Sequence, residues 1–109
     1  MKSNQEILDK FGKILIENVF EDNYEILSTN ILKNIESGEL KEKTSSLVKD
    51  SLESLIFDFL RIFDENEEFK IIHKEEGKEV DLLKISEDLK SEHMIEDGWI
   101  SRFSQTIKN

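Results

Sequence analysis

The fold is decided by residues 47–82, LVKDSLESLIFDFLRIFDENEEFKIIHKEEGKEVDL, because the spacing of the apolar residues changes within this stretch. In its first half the apolar residues recur every three or four positions, which is the period of an α-helix. After the acidic run at 64–68 they alternate with polar residues, which is the period of a β-strand. The stretch therefore predicts a long helix followed by a β-hairpin.

The predicted helix covers about residues 44–63, and its apolar arc is unusually wide. A narrow seam recurs at spacings of 4, 3, 4 and 3: Val48, Leu52, Leu55, Phe59 and Ile62. Further apolar residues widen both flanks of the seam, so we expect burial on two sides and a central position. Phe57 falls on the polar face. Either a later segment folds over it, or it is an exposed anchor for a partner or for a second copy of the chain.

The predicted hairpin covers about residues 69–83, with its turn at Glu76 and Gly77. Glu-Gly is a weaker turn signal than Asn-Gly, so a bulged three-residue loop is the alternative. Pairing residue 75 with residue 78 gives the sensible register. It places five side chains on one face: Phe69, Ile71, His73, Val80 and Leu82. A two-stranded hairpin is marginal in water, so we expect either that this face lies against the helices or that the hairpin edge pairs with another strand.

Four further helices are predicted, over about residues 4–20, 23–36, 86–94 and 98–107. Ser3 with Glu6 forms a capping box at the first helix. Asp22, Ser86 and Asp97 are the expected caps of later helices, and Ser37 with Gly38 is the expected end of the second. Gly12 in the first helix is either tolerated or allows a close approach by a neighbouring element. Together these elements predict a single α+β domain over residues 1–109, dominated by helix: three longer helices, one β-hairpin and two short C-terminal helices.

Composition narrows the class of protein. The chain has 109 residues, a net charge of −10 and no cysteine, which excludes disulfides, thiolate metal sites and cysteine nucleophiles. The acidic balance disfavours direct binding to nucleic acid. No apolar run approaches the roughly 18 residues that span a bilayer, and no signal peptide is recognisable, so we expect a cytoplasmic protein with no membrane partner. The lack of alanine and proline, with 13 lysines against 2 arginines, is typical of an AT-rich bacterial or phage genome.

The sequence offers no motif for chemistry. Asp64, Asn66, Glu68 and Glu75 take positions 1, 3, 5 and 12 of a calcium loop, but Phe69 stands where that loop requires glycine. The two histidines lack the spacing of a zinc site, and no nucleophile elbow or phosphate-binding glycine loop is present. We therefore expect no catalytic residue, no cofactor and no metal ion, and hence no enzyme.

The excess negative charge is concentrated toward the C-terminus. Residues 65–109 hold 12 acidic and 7 basic residues, a net charge of −5, which is half of the total. The functional interpretation is an acidic face that meets a basic protein, and the alternative is an ordinary solvated surface. The predicted partner-binding residues are Phe57, Asp64, Glu65, Glu67, Glu68, Glu75, Glu76, Glu96 and Asp97.

Three stretches resemble a group of small acidic bacterial proteins: residues 69–72 (FKII), 81–86 (DLLKIS) and 96–103 (EDGWISRF). In size, charge and α+β character the whole chain is similar to immunity proteins of bacterial toxin systems. That resemblance implies a protein that neutralises a basic, nuclease-like toxin domain. Two alternatives stay open, namely a homo-oligomeric interaction protein, such as a homodimer, and a phage protein that mimics nucleic acid.

Overall fold

The computed structural model describes residues 2–36 and 38–107, and it confirms a helix-dominated α+β fold with one antiparallel hairpin. Its elements in chain order are α1 (Asn4–Leu15), a π-helical segment (Ile16–Phe20), α2 (Glu21–Leu32), α3 (Gly38–Glu65), β1 (Ile72–Glu75), β2 (Lys78–Asp81), α4 (Leu82–Ile85), a 3-10 turn (Leu89–Ser91) and α5 (Trp99–Phe103).

The first two predicted helices are one continuous helix, so the predicted break at residues 21–23 is wrong. The capping box of Ser3 and Glu6 is present at its start. At the expected break, Phe20 keeps helical φ and ψ. The side-chain amide of Asn23 donates to the Val19 carbonyl oxygen at 2.7 Å, and the helix continues. The π-helical segment accommodates one surplus residue per turn. Ile16 and Phe20 border this segment and are fully buried, although both lie off the apolar arc of an ideal α-helix.

Gly12 is explained by close approach. A Cβ atom added there would overlap the indole ring of Trp99 from α5, which is buried against this turn of α1. Phe11 meets the same indole edge-on, with ring centroids 5.7 Å apart. The glycine thus creates the notch in which the largest core side chain lies.

The boundary between α2 and α3 also differs from the prediction. α2 ends at Leu32 and not at about residue 36, and Gly38 begins α3 where it was expected to end α2. Ser37, the other half of that predicted helix end, lies outside the described residues. α3 begins well before the predicted residue 44 because residues 39–43 are good helix formers, with Lys43 and Glu39 paired one turn apart at 3.3 Å.

The hairpin has the predicted turn and register. Glu75 pairs with Lys78 and His73 with Val80, and the turn residues Glu76 and Gly77 have φ of 50° and 80°, as a type I′ turn requires. The prediction is wrong for Phe69, which lies before β1 and is exposed. The other four residues of the predicted face are at least partly buried.

The C-terminal elements are shorter than predicted. Ser86 ends α4 instead of beginning a helix over 86–94, of which only the 3-10 turn forms. The cap position of α5 is Gly98 and not Asp97, which takes a left-handed φ of 58°. This shift arises because the Trp99 amide donates back to the Glu92 carbonyl at 3.0 Å, which folds the preceding loop tightly. α5 ends at Phe103 and not at about residue 107.

The core lies at one end of an elongated molecule with extents of 54 × 27 × 22 Å. Its radius of gyration is 15.9 Å, against about 13 Å for a compact chain of this length. All twelve buried apolar residues fall in residues 2–21 and 48–107, which we call the body. Residues 22–36 and 38–47, which we call the arm, hold nearly all of α2, the turn after it and the start of α3. The arm has no fully buried apolar side chain, and only Tyr24 packs against the core cluster from it.

Candidate protein-binding surface

The predicted acidic residues lie in three places. Asp64 and Glu65 end α3, with Glu67 and Glu68 in the turn that follows; Glu75 and Glu76 lie at the hairpin tip; Glu96 and Asp97 precede α5. Asp64 and Glu67 line one depression of about 430 Å³ together with Phe69. Glu75 and Glu76 line a separate depression of about 320 Å³. The structure thus brings these residues together in pairs, on different elements.

Ion pairs neutralise part of this charge. Lys90 contacts Asp64 at 3.1 Å, Arg61 contacts Glu65 at 2.9 Å, and Lys2 contacts Glu75 at 3.1 Å. The hydrogen bond from Lys2 lowers the pKa of Glu75 below its ordinary value. Within residues 2–36 and 38–107, no ion pair reaches the carboxylates of Glu67, Glu68, Glu76 or Glu96. We call these four carboxylates uncompensated, and Asp97 likewise has no ion pair among the described residues.

Phe57 is not the exposed anchor that was one of its two interpretations. The 3-10 turn packs against α3 beside it, and the ring is half-buried with the Lys90 ammonium 6.0 Å from its centroid. The alternative interpretation, a later segment folded over the ring, is the one confirmed.

The exposed apolar residues of α3 lie elsewhere, and sequence reasoning missed them. The predicted seam divides in two, because only Val48, Leu52, Ile56 and Leu60 line the core, at steps of four residues. Leu55, Phe59 and Ile62 face outward with 63%, 54% and 47% of their surface exposed. The signal was the width of the apolar arc. We interpreted it as burial on two sides, but the fold covers one side.

These residues form a face with Leu47, which is 65% exposed. We call Leu47, Leu55, Phe59 and Ile62 the outer face of α3. A shallow groove of about 440 Å³ crosses it, lined by Leu47, Asp50, Ser51, Ser54, Leu55 and Asp58. Near the C-terminal end of α3, Phe59 packs edge-on against Phe63 with centroids 5.5 Å apart, and Phe69 beyond the helix is 59% exposed.

In the part of the chain that the structure describes, no group of three histidine, aspartate or glutamate side chains is placed to hold a metal ion. His93 is fully buried, with Nε2 2.8 Å from the Glu53 carbonyl oxygen and Nδ1 without a partner. Burial of the imidazole lowers the pKa of His93. This histidine is a core residue whose neutral form fits its surroundings.

A second buried polar group, the carboxylate of Glu21, links the start of α2 to the C-terminal segment. The carboxylate of Glu21 accepts hydrogen bonds from the Ser104 hydroxyl, from the Gln105 amide at 3.1 Å and from the Thr106 hydroxyl at 3.0 Å. Three donors on a buried carboxylate satisfy its charge without a cation. The group therefore serves the fold, by holding the C-terminal segment against the junction of the π-helical segment and α2.

None of the described helices is both long enough and apolar enough to cross a membrane. Comparison with family models, with curated proteins and with solved structures finds no match to this chain.

Proposed function

We propose that this protein is a non-enzymatic binding protein of the bacterial cytoplasm that neutralises a basic toxin domain, in the manner of an immunity protein. The observation that carries the proposal is the exposed ring of Phe69 beside the uncompensated carboxylates of Glu67 and Glu68. Aromatic side chains are enriched at the centre of protein interfaces, and polar residues form the rim around that centre.

The charge supports a basic partner. A nuclease domain binds its polyanionic substrate with clustered lysine and arginine side chains, so its active surface attracts a protein of net charge −10. Uncompensated carboxylates accelerate encounter with such a surface and select against other partners. Once bound, the protein inhibits by occupying the groove that the nucleic acid requires, and no reactive residue is needed.

The test first looks for a basic C-terminal toxin domain encoded beside the gene and then pairs that domain with the purified protein. We expect a 1:1 complex, loss of nuclease activity in the complex and rescue of growth when both proteins are expressed together. Association should slow as salt is added, since exposed charges are screened within about 10 Å at 0.1 M salt.

The electrostatic contribution is isolated by a matched pair of charge reversals. Glu67→Lys with Glu68→Lys should lower the association rate about tenfold at low salt and weaken its salt dependence. Asp22→Lys with Glu25→Lys changes the net charge equally at exposed positions of α2, and it should have a much smaller effect. Equal effects of the two pairs would show that only overall charge matters. Absence of any complex with the neighbouring basic domain would contradict the proposed function itself.

A further inference from the structure

The outer face of α3 is too apolar for an ordinary solvated helix. From Leu47 to Ile62 it extends about 22 Å along the helix axis, at 1.5 Å per residue. Its four apolar side chains each have 47–65% of their surface exposed. Single exposed leucines are normal, but several large apolar side chains exposed along one helix mark a contact surface.

The groove across this face is shallow and open. Ser51 and Ser54 line it together with Leu47 and Leu55, and the serine side chains are smaller than those of the leucines. On a helix such a gap between larger side chains receives a side chain from a neighbouring helix. The groove therefore suits a protruding side chain from a second helix.

The edges of the groove specify the charge of that side chain. Asp50 and Asp58 both line it and both are exposed. Arg61 pairs with Asp58 at 3.4 Å and more closely with Glu65, at 2.9 Å. Glu65 does not line the groove, so Arg61 compensates the charge of Asp58 only in part. A lysine or arginine side chain fits this groove, because its aliphatic stem packs on a leucine while its cationic head reaches an aspartate carboxylate.

A second copy of this chain fits the same face poorly. It would bring Asp50 and Asp58 of each copy into one interface and join two chains that each carry a charge of −10. Like charges placed together in an interface oppose binding. The charge complementarity therefore favours a different, basic partner.

We propose that the outer face of α3 docks an amphipathic basic helix, with apolar residues against Leu55, Phe59 and Ile62 and a lysine or arginine in the groove between Leu47 and Leu55. This inference rests on the proposed function, to which it adds the apolar anchor and the secondary structure of the partner. It follows the mode of recognition in which a helix lays its apolar face on a hydrophobic surface.

The probe is a synthetic 18-residue peptide of leucine and lysine, with leucine at helical spacing, and its control is a scrambled peptide of the same composition. Binding is measured by fluorescence anisotropy and by amide chemical shifts. We expect the helical peptide to shift the signals of residues 47–62. We expect Leu55→Ser with Ile62→Ser to weaken binding at least about tenfold, the size of an interface hot spot. Ile26→Ser removes an equally exposed apolar residue from the arm and should leave affinity unchanged.

Each other result overturns the inference. Unchanged affinity in the Leu55 and Ile62 variant, or equal binding of the scrambled peptide, would show that charge alone holds the peptide. A dimer in sedimentation that this variant dissociates would assign the face to a second copy. These results leave the toxin-domain complex of the previous subsection unaffected, whereas failure of that complex to form leaves the peptide result standing.

Discussion

The body and the arm are built from similar residues but are held together differently. The body contains every buried apolar side chain of the core cluster, including Trp99, Phe20 and Leu60, which have at most 1% of their surface exposed. In the arm the apolar side chains are exposed or only partly buried, and its one fully buried side chain, Ser28, has no hydrogen-bond partner for its hydroxyl. The arm's apolar residues therefore gain little from burial, and its helices depend on propensity and on their contact with each other. The comparison teaches that one continuous helix can be a core element along one part and a surface element along another.

The largest effect is expected where α3 passes through the body. Leu60→Ala should lower the free energy of unfolding by about 2–5 kcal/mol, because Leu60 is fully buried and alanine leaves a cavity. Urea denaturation followed by circular dichroism measures the change. A loss below about 1 kcal/mol would mean that the core relaxes around the cavity.

The notch at Gly12 gives the next largest effect. Gly12→Ala should cost about 1–3 kcal/mol, despite alanine's higher helix propensity, because the added methyl group displaces the Trp99 indole. Gly38→Ala is the matched control, since a Cβ at that position meets nothing within 4 Å. Thermal unfolding compares the two variants, and a stabilising effect at both positions would refute the notch.

The hydrogen bonds that Glu21 accepts from residues 104–106 should contribute about 1–3 kcal/mol to the free energy of unfolding. Glu21→Gln keeps the shape but turns one oxygen acceptor into an amide donor, which leaves hydroxyl or amide donors of residues 104–106 without an acceptor. Hydrogen exchange at the Gln105 amide should accelerate together with the loss of stability. Glu25→Gln, exposed on the same helix, should change neither quantity.

A smaller effect distinguishes the body by its pH dependence. Because the pKa of His93 is lowered on folding, the unfolded state binds more protons, and stability should fall as pH drops below the unfolded pKa of about 6.5. His93→Gln should flatten this slope between pH 7.5 and pH 5, measured by urea denaturation at each pH. A slope that persists unchanged in His93→Gln would show that His93 does not carry this pH dependence.

The smallest effect completes the comparison on the same helix. Leu47→Ala, the counterpart of Leu60→Ala, should change the free energy of unfolding by no more than about 0.5 kcal/mol, because Leu47 is 65% exposed. The same denaturation experiment applies. A loss comparable to that of Leu60→Ala would mean that the arm has a core of its own.

Local signals predicted local structure well. The hairpin register followed from alternation and from the need for positive φ at Glu76 and Gly77, and the capping box at Ser3 and Glu6 is present. The prediction of a helix break at residues 21–23 failed for a physical reason. Asp22 and Asn23 favour a cap only where the chain turns, and here the π-helical segment lets the helix continue.

The candidate surface was predicted in part. The acidic runs could be read from composition, but their ion pairs with Lys2, Arg61 and Lys90 depend on contacts made by the fold. The outer face of α3 could not be separated from the core by period alone. Leu55 and Leu52 lie within one apolar arc, and only the placement of the other elements decides which one is covered.

The separation of Gly12 and Trp99 along the chain has a consequence for biosynthesis. The indole that fills the notch at Gly12 is synthesised after α1, α2, α3 and the hairpin. A nascent chain therefore has these elements available while the indole's place on α1 is still vacant. The body cannot complete its core until Trp99 has left the ribosome.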